Sequence, residues 1–240
     1  MISRFLATTL SLGLAFMLQS CSGGTQEQAP SIPQDALVEA YNASVDASSL
    51  PQATKDKLKA DVASGATVLT THHNGGQADV AGAEEPQDLG TGGTYVDAAT
   101  TKPTITVNED WVDDCAGGKN HPNHGKKRKA WLKKLYRHEI YHLAGTGPGG
   151  VGSVGETSCA HVGLRLQDME WYCQDAAAAQ AAGHEIAAEN LCLYAESSLE
   201  SAEALAEKLG CSGSAGDSGP PSFGWGASDL EICAFCAGGA

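Results

Sequence analysis

The chain is short of positive charge: 15 Lys and Arg stand against 29 Asp and Glu, a formal net charge of −14. Nucleic acid is bound through its phosphates by basic surfaces, so this balance excludes it as a natural partner. The sequence also lacks an apolar stretch of roughly 20 residues, the length a helix needs to cross a bilayer. The one extended uncharged run, Phe5 to Leu18, falls short of that. There is no internal repeat and no βαβ alternation. What is present points to a folded chain. Hydrophobic residues make up 42% of it, too many for a wholly disordered polypeptide, and 240 residues can enclose one sizeable core. Eight Cys are too few for a small disulfide scaffold and many for a reduced cytosolic protein.

The N-terminal segment reads as an address. A short basic start at Met1 to Arg4 precedes the apolar run, and Leu18-Gln19-Ser20-Cys21 closes it. This is the layout of an export signal over residues 1–20. The closing tetrapeptide resembles the lipobox of bacterial lipoproteins. That resemblance implies that Cys21 carries lipid and that acyl chains hold the protein to a membrane. Ser22, rather than Asp, follows Cys21, which by the same resemblance favours the outer membrane of the cell envelope. Residues 21–34 are rich in Ser, Gly, Gln and Pro, with almost no large apolar residue, and read as a flexible tether.

Beyond the tether, Leu37, Val38, Tyr41 and Val45 fall at helical spacing, and Pro51 restarts a second helix that runs to about Ser64. Strands are expected at Thr67–Thr71, Gly93–Val96 and Thr104–Asn108, with a loop from His73 to Gly93. Lys126 to Ala144 reads as a strong helix, broken by the glycine-rich stretch 145–152. A further helix is expected from Ser153, and the Ala- and Glu-rich stretch from Asp168 to Leu209 reads as helix that Gly183 splits into a hairpin. The expected fold class is α+β: a small sheet, an active-site helix and a helical C-terminal extension. The expected division is a catalytic domain over 35–172 and a disulfide-containing extension over 173–240.

His138-Glu139-Ile140-Tyr141-His142 carries the chemistry. Two His four apart on a helix project from one face, so both imidazoles reach one ion at about 2.0–2.1 Å. Glu139 lies one residue round, beside the ion rather than on it. Zinc lowers the pKa of a coordinated water to about 7, and a neighbouring carboxylate takes its proton during attack on a carbonyl. Trp131, Leu132, Leu135 and Leu143 supply an apolar stripe on the same helix.

At these residues the chain resembles the zincin metallopeptidases. The resemblance spans about Ile105 to Tyr172, and its specific part is the five-residue HExxH motif. It implies a small α+β fold with His138 and His142 as Zn2+ ligands and Glu139 as general base. It also implies that the strand holding Ile105-Thr106-Val107-Asn108 is the edge on which extended peptide docks. The third ligand stays open between two residues. The gluzincin pattern points to Glu156, on a helix after the glycine-rich stretch, although Ser153-Val154-Gly155-Glu156 is equally a capping box. The acidic partner expected four residues later is Ala160. His161 is the rival ligand, or a stabiliser of the oxyanion in the cleft. Five residues span about 140° of helix, so Glu156 and His161 do not readily share one ion. Tyr141 and Tyr172 are weaker candidates for the oxyanion role. The metzincin position for a third His holds Pro148, and Met169 with Tyr172 is a faint echo of a Met-turn.

Other signals carry less. Residues 147–152 match GxGxxG, but they follow a helix rather than a strand. His184-Glu185 begins a second HExxH without its closing His. His72-His73 and His121-Pro122-Asn123-His124 read as polar loops beside the accessory-metal alternative. Seven of the fifteen cations crowd Lys126 to Arg137, either as a solvated face or as a basic rim steering anionic substrates. The seven Cys after Cys21 allow three disulfides. Cys173 and Cys192 lie almost symmetrically about Gly183, which suggests a hairpin staple, and Cys233/Cys236 read as disulfide rather than metal ligands.

The expectation is a monomeric, exported, lipid-anchored zinc metallopeptidase acting on peptide or protein. The competing readings are a non-catalytic surface lipoprotein that binds through a zincin-like fold, a structural lipoprotein, and a zinc amidase of the cell wall.

Overall fold

The computed structural model describes residues 31–48, 50–118, 120–144, 159–211 and 233–237. The lipobox Cys21, the tether up to residue 30, the GxGxxG stretch and Glu156 lie outside them. Two helices come first, α1 (Gln34–Ala47) and α2 (Gln52–Ala63), then five strands, β1 (Val68–His72), β2 (Gln77–Ala78), β3 (Gln87–Asp88), β4 (Gly92–Val96) and β5 (Pro103–Asn108). Five helices follow: α3 (Glu109–Cys115), α4 (His124–Ala144), α5 (Cys159–Ala181), α6 (Glu185–Leu209) and α7 (Ala234–Ala237). The class is α+β, as the sequence implied. None of these helices is long and apolar enough to cross a membrane.

Most elements fall where the pattern placed them. The exceptions are α3, which no periodicity announced, and β2 and β3, which form a small hairpin inside the stretch read as loop. α3 exists because Asn108 caps it: the Asn108 side-chain oxygen accepts the N–H groups of Asp110 and Trp111, and Glu109 and Asp110 place negative charge in the first turn. α5 begins at Cys159 and runs unbroken through Tyr172 and Cys173.

The three-stranded sheet has the order β1-β5-β4, with β1 parallel to β5 and β4 antiparallel to it. β5 therefore sits in the middle, with Thr104 to Asn108 all buried. This corrects the expectation that Ile105–Asn108 form the docking edge. A strand bonded on both sides has no backbone groups left for a peptide. The edge beside α4 is β4. Gly92 lets β4 come this close: a Cβ there would stand 2.5 Å from the Thr106 carbonyl and 3.0 Å from Leu135 Cδ1, and its φ of +140° disfavours any side chain.

The core lies between α1, the sheet and α4. Leu37, Tyr41 and Val45 of α1 meet Leu132, Tyr136, Ile140 and Tyr141 of α4, with Ile105 and Val107 beneath. Tyr41 and Tyr136 meet edge to face, their ring centroids 5.6 Å apart. Arg128 ties the base of this assembly together, with Nε 2.7 Å from Asp113 and Nη2 3.2 Å from Glu109. Glu109 in turn accepts from Ser31 Oγ and the Ile32 N–H ahead of α1.

α5 and α6 form an antiparallel hairpin about Gly183, whose φ is +74°. Small residues, Ala176 with Ala195 and Ala202 with Ala206, let the two helices close. Three disulfides lock the unit. Cys159–Cys211 joins the first residue of α5 to the residue that follows α6 and its Gly210 cap. The expected Cys173–Cys192 staple does not form. Each of these residues bonds instead to the C-terminal segment, in Cys173–Cys233 and Cys192–Cys236. The C-x-x-C spacing puts two sulfurs about one turn apart, Cys233 just ahead of α7 and Cys236 on it, which lets one short segment bridge both helices. Cys233 and Cys236 are disulfide residues, as read from the sequence.

Two outcomes are expected. Peptide mapping of the unreduced protein should recover the 159–211, 173–233 and 192–236 pairs and no 173–192 pair. The Tyr136 hydroxyl is buried with no hydrogen-bond partner among the described residues. In urea titrations of the disulfide-intact protein, Tyr136→Phe should therefore be neutral or stabilising by up to about 1 kcal/mol. Tyr136→Ala should cost about 3–5 kcal/mol.

Candidate metal centre

α4 is amphipathic in two directions. Leu132, Leu135, Tyr136 and Ile140 face the core, and His138 and His142 emerge one turn apart on the side toward α5. Their Nε2 atoms are 3.0 Å apart. The buried face of α5 brings His161 to the same place. Its ring centroid lies 5.5 Å from that of His138 and 5.2 Å from that of His142. One donor atom from each of the three histidines lies within 4.8 Å of the other two. His161 is only 2% exposed, so the cluster is roofed by the hairpin rather than open on all sides.

Asp168 completes the arrangement. It stands seven residues after His161 on the same face of α5, and its Oδ2 accepts the Nδ1–H of His138 at 2.7 Å. That bond fixes the tautomer, leaving Nε2 of His138 with its lone pair toward the other histidines. Burial disfavours the charged imidazolium, but the Asp168 carboxylate, by its charge and its hydrogen bond, outweighs burial and holds the His138 pKa above its ordinary value. Arg165 Nη1 lies 3.9 Å from the same carboxylate oxygen.

Glu139 is also held. Thr94 of β4 donates its hydroxyl to Glu139 Oε2 at 2.7 Å, and Glu139 is 8% exposed. An acidic group so buried persists as an acceptor only with a fixed donor. The edge strand thus touches the carboxylate next to the histidines.

This donor set fits a divalent metal of the zinc class. Imidazole nitrogens are its preferred neutral ligands, three protein ligands leave a position open, and a tetrahedral ion at about 2.0–2.1 Å spaces its ligands about 3.3 Å apart. A second group of three donors, Cys173, Cys233 and Cys236, is not available as thiolate, because all three sulfurs are in disulfides.

The remaining sequence candidates fall elsewhere. Tyr141 packs its ring near Trp171, and Tyr172 stacks on Tyr194. Met169 lies within α5 in the hairpin core, not in a turn. His73 bonds Asp110, His124 pairs with Asp113 at 3.2 Å, and His121 contacts Lys127. Among the described residues none of these histidines joins a three-donor cluster. Sequence reasoning missed Asp168 and Thr94. The i, i+7 relation of His161 and Asp168 was the available signal for the first; nothing local announces the second.

Comparison with protein-family models, with curated proteins and with solved structures finds no match for this chain. A direct check on the site is Asp168→Asn, which keeps the shape and removes the charge. Chelator competition should show divalent-metal affinity reduced about 10- to 100-fold, with far-UV circular dichroism unchanged.

Proposed function

We propose that the chain is an exported, lipid-anchored zinc metallopeptidase of the zincin type, with His138, His142 and His161 as the metal ligands. The observation that carries this is the meeting of the HExxH histidines with His161 and the Asp168 carboxylate, from a different helix, beside a buried Glu139. His161 takes the place that Glu156 and His161 contested in the sequence. Three disulfides support a life in an oxidising compartment, and the lipobox-like Leu18 to Cys21 supports the anchor.

When bound, zinc supplies a positive centre that polarises the scissile carbonyl and makes water acidic near neutral pH. The chain supplies the rest. Asp168 holds His138 in the ligating tautomer. Glu139 accepts a proton from the attacking water and passes it to the departing amine. Thr94 steadies one carboxylate oxygen of Glu139 and leaves the other to face the reaction.

Substrate orientation falls to β4. The odd-numbered residues of this strand bond β5, as Asn108 N–H to the Thr91 carbonyl shows, while the Val96 carbonyl turns outward to Ala81 N–H. By the same alternation the backbone N–H and C=O of Thr94 face outward at the level of Glu139. An extended peptide adding to that edge would pass its carbonyls in front of the histidines.

The test is metal content followed by activity on unstructured protein substrates. The expected result is near one zinc per chain, lost in His142→Ala and His161→Ala and retained in Glu156→Ala. Glu139→Gln should keep the metal and lose about 10²- to 10⁴-fold in turnover. A folded, oxidised sample that takes up no zinc would sink the reading.

A further inference from the structure

The basic run of α4 does not form one face. Arg128 is buried on Glu109 and Asp113, Lys129 pairs with Glu39, and Lys127 contacts His121. Three cations remain together: Lys133, Lys134 and Arg137 line a cleft of about 450 Å³ between α1, α4 and α5. Among the residues lining the cleft the one carboxylate is Asp175, and Lys133 also acts on Glu39 outside it. Asp175 forms an ion pair with each of two of the cations, 3.6 Å from Lys134 Nζ and 3.5 Å from Arg137 Nη2. The Nε of Arg137 is buried and meets no acceptor among the described residues.

One carboxylate shared between Lys134 and Arg137 balances only part of their charge, and aromatic rings hold both heads in place. Lys134 Nζ lies 4.6 Å from the centre of the Trp131 ring, and the Arg137 guanidinium lies 4.6 Å from that of Trp171. An aromatic face fixes the head of a long cationic side chain without accepting a conventional hydrogen bond from it. Burial, only partly offset by Asp175, holds the Lys134 pKa below its usual value. In a chain of net charge −14, three cations and one carboxylate lining the same cleft are a local excess of positive charge.

We propose that this cleft is an oxyanion-binding site, taking a carboxylate or phosphate group on Arg137 and Lys134 with Lys133 at its mouth. A guanidinium presents paired donors to either group, and an ammonium adds charge without directional demand. Lys134 stands one turn before His138 on α4, but no histidine is among the residues lining the cleft, and the site does not depend on a metal.

Titration calorimetry at low ionic strength tests it, with inorganic phosphate and succinate as separate probes. At least one should bind saturably at one per chain, and the tighter of the two identifies the source of the anion. Arg137→Gln should weaken that binding at least tenfold. Lys133→Gln, at an exposed position, should weaken it about threefold with the fold untouched, so a misfolded Arg137 variant would not leave the test empty. Binding should persist in Lys57→Gln, which is remote from the cleft, and in His142→Ala, which removes a histidine of the metal centre. The proposal is overturned if neither probe saturates, if Lys133→Gln and Arg137→Gln bind as the parent does, or if His142→Ala abolishes the binding.

Discussion

The hydrogen bond from His138 on α4 to Asp168 on α5 joins the two halves of the molecule beside the histidine cluster, and the ion pairs of Lys134 and Arg137 with Asp175 join them again along the same helices. On one side of it α4 is fixed by the core it shares with α1 and the sheet. On the other side α5 is fixed by its hairpin partner and by disulfides at Cys159 and Cys173. Leu164 and Trp171 of α5 also pack into the core of the first half, so the His138–Asp168 contact reports a relative position that packing sets. Were α5 to slide along α4 by one turn, about 5.4 Å, His161 would leave the cluster and Asp168 would lose its imidazole. The covalent locks on the hairpin therefore serve the geometry of the histidines as much as the stability of the helices.

The same logic explains the small edge strand. β4 contributes little apolar area, yet Gly92 allows it to lie flat against β5 and Leu135, and Thr94 then reaches Glu139. A bulkier residue at 92 would lift the strand, and the carboxylate would lose its donor. Rigid packing behind α4, a bridging carboxylate on one side and a hydroxyl on the other hold three histidines and one glutamate in a buried polar pocket. Such groupings are expensive to bury and persist where every member is supported.

Charge on α4 is sorted by position, not by type. Early in the helix Arg128 and Lys129 spend their charge on buried and surface carboxylates, while Lys127 contacts His121. Further along, Lys134 and Arg137 rest on Trp131, Trp171 and Tyr172 and share a single carboxylate, Asp175. A linear sequence shows seven cations in twelve residues and hides this division, because helical winding distributes neighbours to different surroundings.

The sequence by itself determined what depends on near neighbours. Helical spacing placed α1, α2 and α4, Pro51 and Gly183 marked their breaks, β-branched runs marked β1 and β5, and the four-residue interval of His138 and His142 put both on one face. Only the tertiary structure decided what depends on distant segments meeting. It set β5 in the middle of the sheet and β4 at its edge, since strand order follows from pairing and not from composition. It paired Cys173 and Cys192 with α7 rather than with each other, since symmetry about a turn does not choose among sulfurs within reach. And it brought His161 and Asp168 to the HExxH helix, because the angle and height at which two helices pack are set by side chains scattered over the whole core.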